Sequence, residues 1–133
     1  MGALGAPGFL GQVFNRKKYQ YHDIGLHDMI MNAYHALAVD DRGVVIPDQL
    51  MTALRHLRDD GKRVMALVAN ACSTALGLYD PLAEIGHFCR QEHIWFHVDG
   101  AHGGPALLTS KYRHLMRGVE LADSLTMNMH KLM

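Results

Sequence analysis

Val64-Met65-Ala66-Leu67-Val68-Ala69 is an unbroken apolar run. Such a run is the pattern of a strand covered on both faces, where alternation is not needed. Asp80-Pro81 then opens a helix as N-cap and first helical residue, and Leu82, Ile85, Gly86 and Cys89 recur at i, i+3, i+4 and i+7. Ile94-Trp95-Phe96-His97-Val98 follows as a second strand. Strand, helix, strand at these lengths is a βαβ unit, so the chain reads as an α/β protein with a mostly parallel sheet.

The same logic extends outward. A helical stretch over Lys111 to Met116 and a strand over Ser124 to Met127 repeat the unit. Upstream, Pro47 suits a first helical position, Leu50, Met51, Leu54 and Leu57 form an apolar stripe, and Asp60-Gly61 ends it. Asp40-Asp41-Arg42-Gly43 predicts a turn, Ala38-Val39 a short extended piece, and Leu26 to Leu37 a short helix. Residues 1–25, rich in early glycine and carrying Arg16-Lys17-Lys18, read as a poorly ordered lead-in, which leaves 26–133 as the folded unit.

Composition narrows the function. With 133 residues and 49% hydrophobic character there is material for one modest core. Thirteen basic and thirteen acidic side chains cancel, so no basic field recruits nucleic acid or an anionic membrane. A small-molecule ligand is the expectation. Cys72 and Cys89 form no CxxC pair, and no apolar run of membrane-spanning length occurs. The chain therefore reads as cytoplasmic and reduced, with packed rather than bridged thiols.

In a parallel α/β sheet, ligands bind beyond the carboxyl ends of the strands. Three segments fall there: Asn70 to Thr74, Asp99 to Gly104 and Asn128 to Lys131. A carboxylate closing an apolar strand caps a helix, meets a cation or faces solvent. Asp99 can therefore be an N-cap, or it can pair with a protonated pyridine nitrogen against small neighbours, Gly100 and Ala101. Lys131 is either a solvated charge or, in a strand-end cleft, an amine able to join an aldehyde. Together the two residues suit the opposite ends of a pyridoxal phosphate ring. A separate reading makes His97, Asp99 and His102 the metal ligands of a small hydrolase, since His97 and Asp99 share one strand face.

Several motifs occur in order: Asn70-Ala71-Cys72-Ser73-Thr74 with Gly77, then Asp80-Pro81-Leu82, then His97-Val98-Asp99-Gly100-Ala101-His102-Gly103-Gly104. Arg113-His114-Leu115, Gly118-Val119-Glu120, Ala122-Asp123-Ser124 and Asn128-Met129-His130-Lys131 follow. This series resembles the group II pyridoxal-phosphate-dependent amino-acid decarboxylases, which include glutamate, aromatic-amino-acid, cysteine-sulfinate and diaminobutyrate decarboxylases. The match is best over residues 64–133, looser over 38–63, and not traceable over 1–37. It implies part of the large domain of a fold type I enzyme, with pyridoxal 5′-phosphate as cofactor, an amino acid as substrate and, in the intact member, a homodimer.

Position by position, the resemblance implies that Asp99 pairs with the pyridine nitrogen and Ala101 packs near the ring. It places Thr74 by the cofactor, makes Asn128 a phosphate ligand, and lets Lys131 carry the cofactor as a Schiff base with His130 beside it. His102 falls on the substrate side. Asp99-Gly100-Ala101 stands where Asp-Ala-Ala is usual, and Met129 where a proline is common. The family's upstream phosphate loop and ring-stacking histidine have no counterpart in residues 1–63, and its mobile loop and small domain would lie past Met133. The expectation is thus a truncated decarboxylase, with a catalytically silent cofactor-binding or scaffold fragment as the alternative.

Overall fold

A computed structural model describes the backbone of residues 12–15 and the whole of residues 33–131. Strands β1 (Gln12–Asn15), β2 (Tyr34–Ala36), β3 (Val64–Asn70), β4 (Trp95–Gly100) and β5 (Ser124–Met127) form one sheet in the order β2-β1-β3-β4-β5. Helices α1 (Leu50–Asp59) and α2 (Leu82–Glu92) precede β3 and β4.

The β3-α2-β4 unit forms as the periodicity predicts, and β3 and β4 pair in parallel. Leu82, Ile85, Gly86 and Cys89 are all buried. Leu82, Ile85 and Cys89 belong to one core with Leu54 and Leu57 of α1, Leu67 of β3, and Phe96 and Val98 of β4. Met51 does not join the stripe on α1 and is 37% exposed; Met65 of β3 is 55% exposed. The β4–β5 pair is also parallel, but its crossover is built differently from the predicted helix. Three 3-10 segments, Gly104–Leu108, Arg113–Met116 and Val119–Leu121, replace a continuous α-helix. Pro105 at the start of the first segment and Gly118, in the left-handed region at φ 98, before the last break any longer run.

The parallel core carries an antiparallel flank. β1 pairs antiparallel with both β2 and β3, so Gln12–Asn15, inside the stretch read as lead-in, is a strand. Four residues are too few to show a period, and strand pairing is decided by non-local neighbours. Tyr34–Ala36 likewise forms a strand within the predicted Leu26 to Leu37 helix, and residues 26–32 of that stretch lie outside the described residues. The turn over Asp40–Gly43 forms, with Gly43 N–H on the Asp40 carbonyl at 2.9 Å, and brings Val39 and Val45 into a bridge.

Asp80 departs from its expected role. It makes no N-cap bond; Pro81 occupies the cap position of α2. The Asp80 carboxylate is buried and accepts the backbone N–H groups of Asn70 and Val45 at 2.7 and 3.1 Å. It accepts two backbone amides, one at the end of β3 and one in the bridge before α1, instead of those of a helix terminus, which is the same chemistry directed elsewhere.

The register then sets the site. Asn70 pairs with Asp99, and Asp99 with Thr126, so these residues stand in one row near the carboxyl ends of three parallel strands.

Candidate functional site

Beyond that row opens a cleft of about 340 Å³, lined by Asn70, Cys72, Ser73, Thr74, Ala75, Asp99, Ala101, His102 and Lys131. Three successive strand ends therefore converge, as their positions in a parallel sheet require. Asp99 is half-buried at the end of β4, where one carboxylate oxygen accepts the Ala101 N–H at 3.0 Å. That bond makes a tight turn rather than a helix cap. The second oxygen meets no donor among the described residues, so it is available to a cationic ligand.

The turn after β3 forms the opposite wall. Ser73 N–H donates to the Leu78 carbonyl and Gly77 N–H to the Ser73 carbonyl, both at 2.8 Å, closing a loop that holds Thr74 at the surface. The two walls are bonded to each other. Ala71 N–H donates to the Asp99 carbonyl at 2.8 Å, Gly103 N–H to the Ala71 carbonyl at 2.9 Å, and the Tyr79 hydroxyl to the Gly103 carbonyl at 3.0 Å. A side chain at Gly103 would run into the Cys72 nitrogen, the Ala71 carbonyl carbon and the Tyr79 hydroxyl. Burial pushes the Cys72 thiol and the Tyr79 hydroxyl up from their ordinary values. Cys72 is accordingly a packed, protonated wall residue rather than a nucleophile.

Of the residues singled out from the sequence, Thr74, Asp99, Ala101, His102 and Lys131 share this cleft. Asn128 and His130 follow β5 but are not among the lining residues, and His130 is exposed. Asn70, Ser73 and Ala75 also line the cleft, and the signal for them in the sequence is their place at the carboxyl end of β3. Tyr79 and Gly103, which join its walls, carry no local signal: their importance arises from residues 24 apart in sequence.

The metal reading does not assemble. No three histidine, cysteine or acidic side chains converge on a possible metal position among the described residues. His97 instead uses both ring nitrogens on hydroxyls, Ser124 Oγ at 2.7 Å and Thr126 Oγ1 at 3.1 Å.

A model of the pyridoxal-dependent decarboxylase conserved domain matches residues 19–133, most of the chain. The chain belongs to the pyridoxal-dependent decarboxylase family. Within it, the chain is 38% identical over 94 residues to an acidic amino acid decarboxylase of Xenopus tropicalis, covering 71% of this chain and 18% of that protein. It is 36% identical over 102 residues to cysteine sulfinic acid decarboxylase of Mus musculus, covering 77% and 21% respectively. The crystal structure of mouse CSAD superposes with a TM-score of 0.74 at 37% identity, over 76% of this chain and 22% of that one. The α/β reading and the fold type I resemblance hold, and the chain spans about a fifth of the length of these relatives. No helix among the described residues is long and apolar enough to cross a membrane.

The residues present fit a cofactor of the kind this pyridoxal-dependent family uses. A half-buried carboxylate with one unengaged oxygen, a small side chain at Ala101 and a primary amine line the same open space.

Proposed function

We propose that this chain supplies the cofactor-holding strand ends of a pyridoxal 5′-phosphate-dependent carboxy-lyase that converts an amino acid to an amine. One observation carries the reading: Asp99 and Lys131, from the ends of two neighbouring strands, line one cleft. Asp99 offers its free oxygen to a protonated ring nitrogen, and Ala101 leaves room for a flat ring. Lys131 presents the amine for attachment at the opposite end. Thr74 lies by the cofactor, Asn128 is the phosphate contact of the intact site although it does not line the cleft here, His130 stands next to Lys131, and His102 faces the substrate side. Bound there, pyridoxal phosphate supplies an electron sink for the bond broken at the substrate's α-carbon. Asp99 strengthens that sink by keeping a positive charge at the ring nitrogen.

In this reading the intact enzyme is cytoplasmic and homodimeric. Exposed Leu108, Tyr112 and Leu115 on the β4–β5 crossover offer apolar surface for a second subunit. A second reading, that the chain holds the cofactor without turnover, is favoured by the exposure of Lys131, since such an amine works best when desolvated.

The deciding experiment adds pyridoxal phosphate to the purified chain, reduces with borohydride and maps the label. Label concentrated at Lys131, and diminished in Asp99→Asn, is the expected result. Label spread over Lys62 and Lys111 as heavily as Lys131 would sink the assignment. Carbon dioxide release from acidic and aromatic amino acids then separates turnover from silent binding.

A further inference from the structure

Two residues before Asp99, on the same face of β4, His97 bridges to β5. Its Nδ1 lies 2.7 Å from Ser124 Oγ and its Nε2 3.1 Å from Thr126 Oγ1. The Trp95 indole N–H donates to the same Ser124 oxygen at 2.9 Å. An indole nitrogen can only donate, and a serine hydroxyl has one proton to give. Trp95 takes one of the two acceptor positions on Ser124 Oγ, and in the arrangement proposed below the Ser124 proton goes to His97 Nδ1. The ring proton of neutral His97 then sits on Nε2 and is donated to Thr126.

We propose that His97, held as the Nε2–H tautomer, is a positioning residue that fixes the distance between Asp99 and Lys131, a role that rests on the cofactor assignment above. The need for such a device is visible in the sheet. Among the described residues β5 has four residues and one neighbour, β4. Its register pairs His97 with Ser124 and Asp99 with Thr126. A slip of one residue flips every side chain to the other face, so His97 would meet Leu125 and Met127 and lose both hydroxyl partners. The same slip would carry Lys131 about 3.3 Å along the strand direction, against a tolerance of about 1 Å for a reacting group. Alternating Ser124 and Thr126 with Leu125 and Met127 therefore makes His97 a register lock directly behind the site.

The test uses the full chain. Side-chain 15N NMR is expected to show His97 with an unprotonated Nδ1 and a protonated Nε2, a state that Ser124→Ala disturbs. His97→Ala should lower borohydride-trapped pyridoxal phosphate at Lys131 by about tenfold or more, while Lys62 and Lys111 label as before. His97→Gln, which offers both an acceptor and a donor, should recover most of that loss. Circular dichroism on each variant excludes unfolding as the cause. An Nδ1–H tautomer, or undiminished trapping in folded His97→Ala, overturns the proposal. If the parent chain traps nothing at Lys131, the cofactor assignment itself has failed. Amide exchange over Ser124–Met127 then judges the lock alone: faster exchange in His97→Ala retains it, and unchanged exchange removes it.

Discussion

Asp80 and Asn70 are joined at both ends of the loop between them: Asp80 Oδ2 accepts the Asn70 backbone N–H at 2.7 Å, and the Asp80 N–H donates to the Asn70 carbonyl at 3.0 Å. The Asn70 side-chain amide reaches the same Oδ2 at 3.3 Å, while Oδ1 holds Val45. The carboxylate thus closes the loop that forms one wall of the cleft and ties it to the segment before α1. Replacing it by alanine removes the acceptor of the buried Val45 N–H and the carboxylate that holds the Asn70 N–H. Asp80→Ala should cost about 2–4 kcal/mol in urea unfolding, and a change below about 0.5 kcal/mol would contradict this account.

The same group sets a pH dependence. Burial pushes the Asp80 carboxyl above its ordinary value of 3.8, against the opposing pull of the Asn70 and Val45 N–H groups and the Asn70 side chain. With the folded value above the unfolded one, the folded state binds more protons between the two. This contribution is therefore greatest at low pH and declines as pH rises from 3.8 through the raised folded value. Unfolding curves across that window should show the advantage of the parent chain over Asp80→Ala shrinking as pH increases. A growing advantage would refute the sign.

Gly103 joins the two walls of the cleft through its bonds to Ala71 and Tyr79. A methyl group there meets backbone atoms of Ala71 and Cys72 as well as the Tyr79 hydroxyl, and backbone cannot swing aside as a flexible side chain can. Gly103→Ala is expected to destabilise by about 1–3 kcal/mol and to weaken trapping at Lys131. Tyr79→Phe removes the bond to the Gly103 carbonyl and the hydroxyl's contact with the Cys72 thiol, and should cost about 1 kcal/mol.

Gly118 is constrained twice over. It sits at φ 98, and a Cβ would press on the backbone of Leu82 and Ala83 at the start of α2. Gly118→Ala should lower the thermal midpoint measurably, through about 1–3 kcal/mol of combined backbone strain and displacement of α2. Thermal melts following helical circular dichroism would read the change directly.

The two cysteines should be inert in the native chain. Burial pushes the Cys89 thiol up to about 12, reinforced by the nearby Asp123 charge, and burial raises Cys72 also. Thiolate, not thiol, is the nucleophile. A disulfide exchange reagent at neutral pH should label neither at an appreciable rate, and both in urea. Fast labelling of Cys72 would show that the cleft wall opens.

Local chemistry made part of this architecture legible. Leu82, Ile85, Gly86 and Cys89 announce their helix because the period of a helix is written in a handful of neighbouring residues, and the Ser124 to Met127 strand lies where its sequence puts it. The β1–β2 flank was not legible, since a three- or four-residue strand is defined by its partners rather than by its own pattern.

By itself, the sequence determined the βαβ order, the three strand-end segments and the family to which they belong, because periodicity, turn chemistry and motif spacing are properties of adjacent residues. Only the tertiary structure decided that Asp80 clamps Val45, 35 positions away, instead of capping α2. It also decided that Thr74, Asp99 and Lys131 share a cleft which Asn128 and His130 do not line. A buried polar group takes whichever partner packing brings within reach, and that choice depends on register and loop closure across the whole sheet.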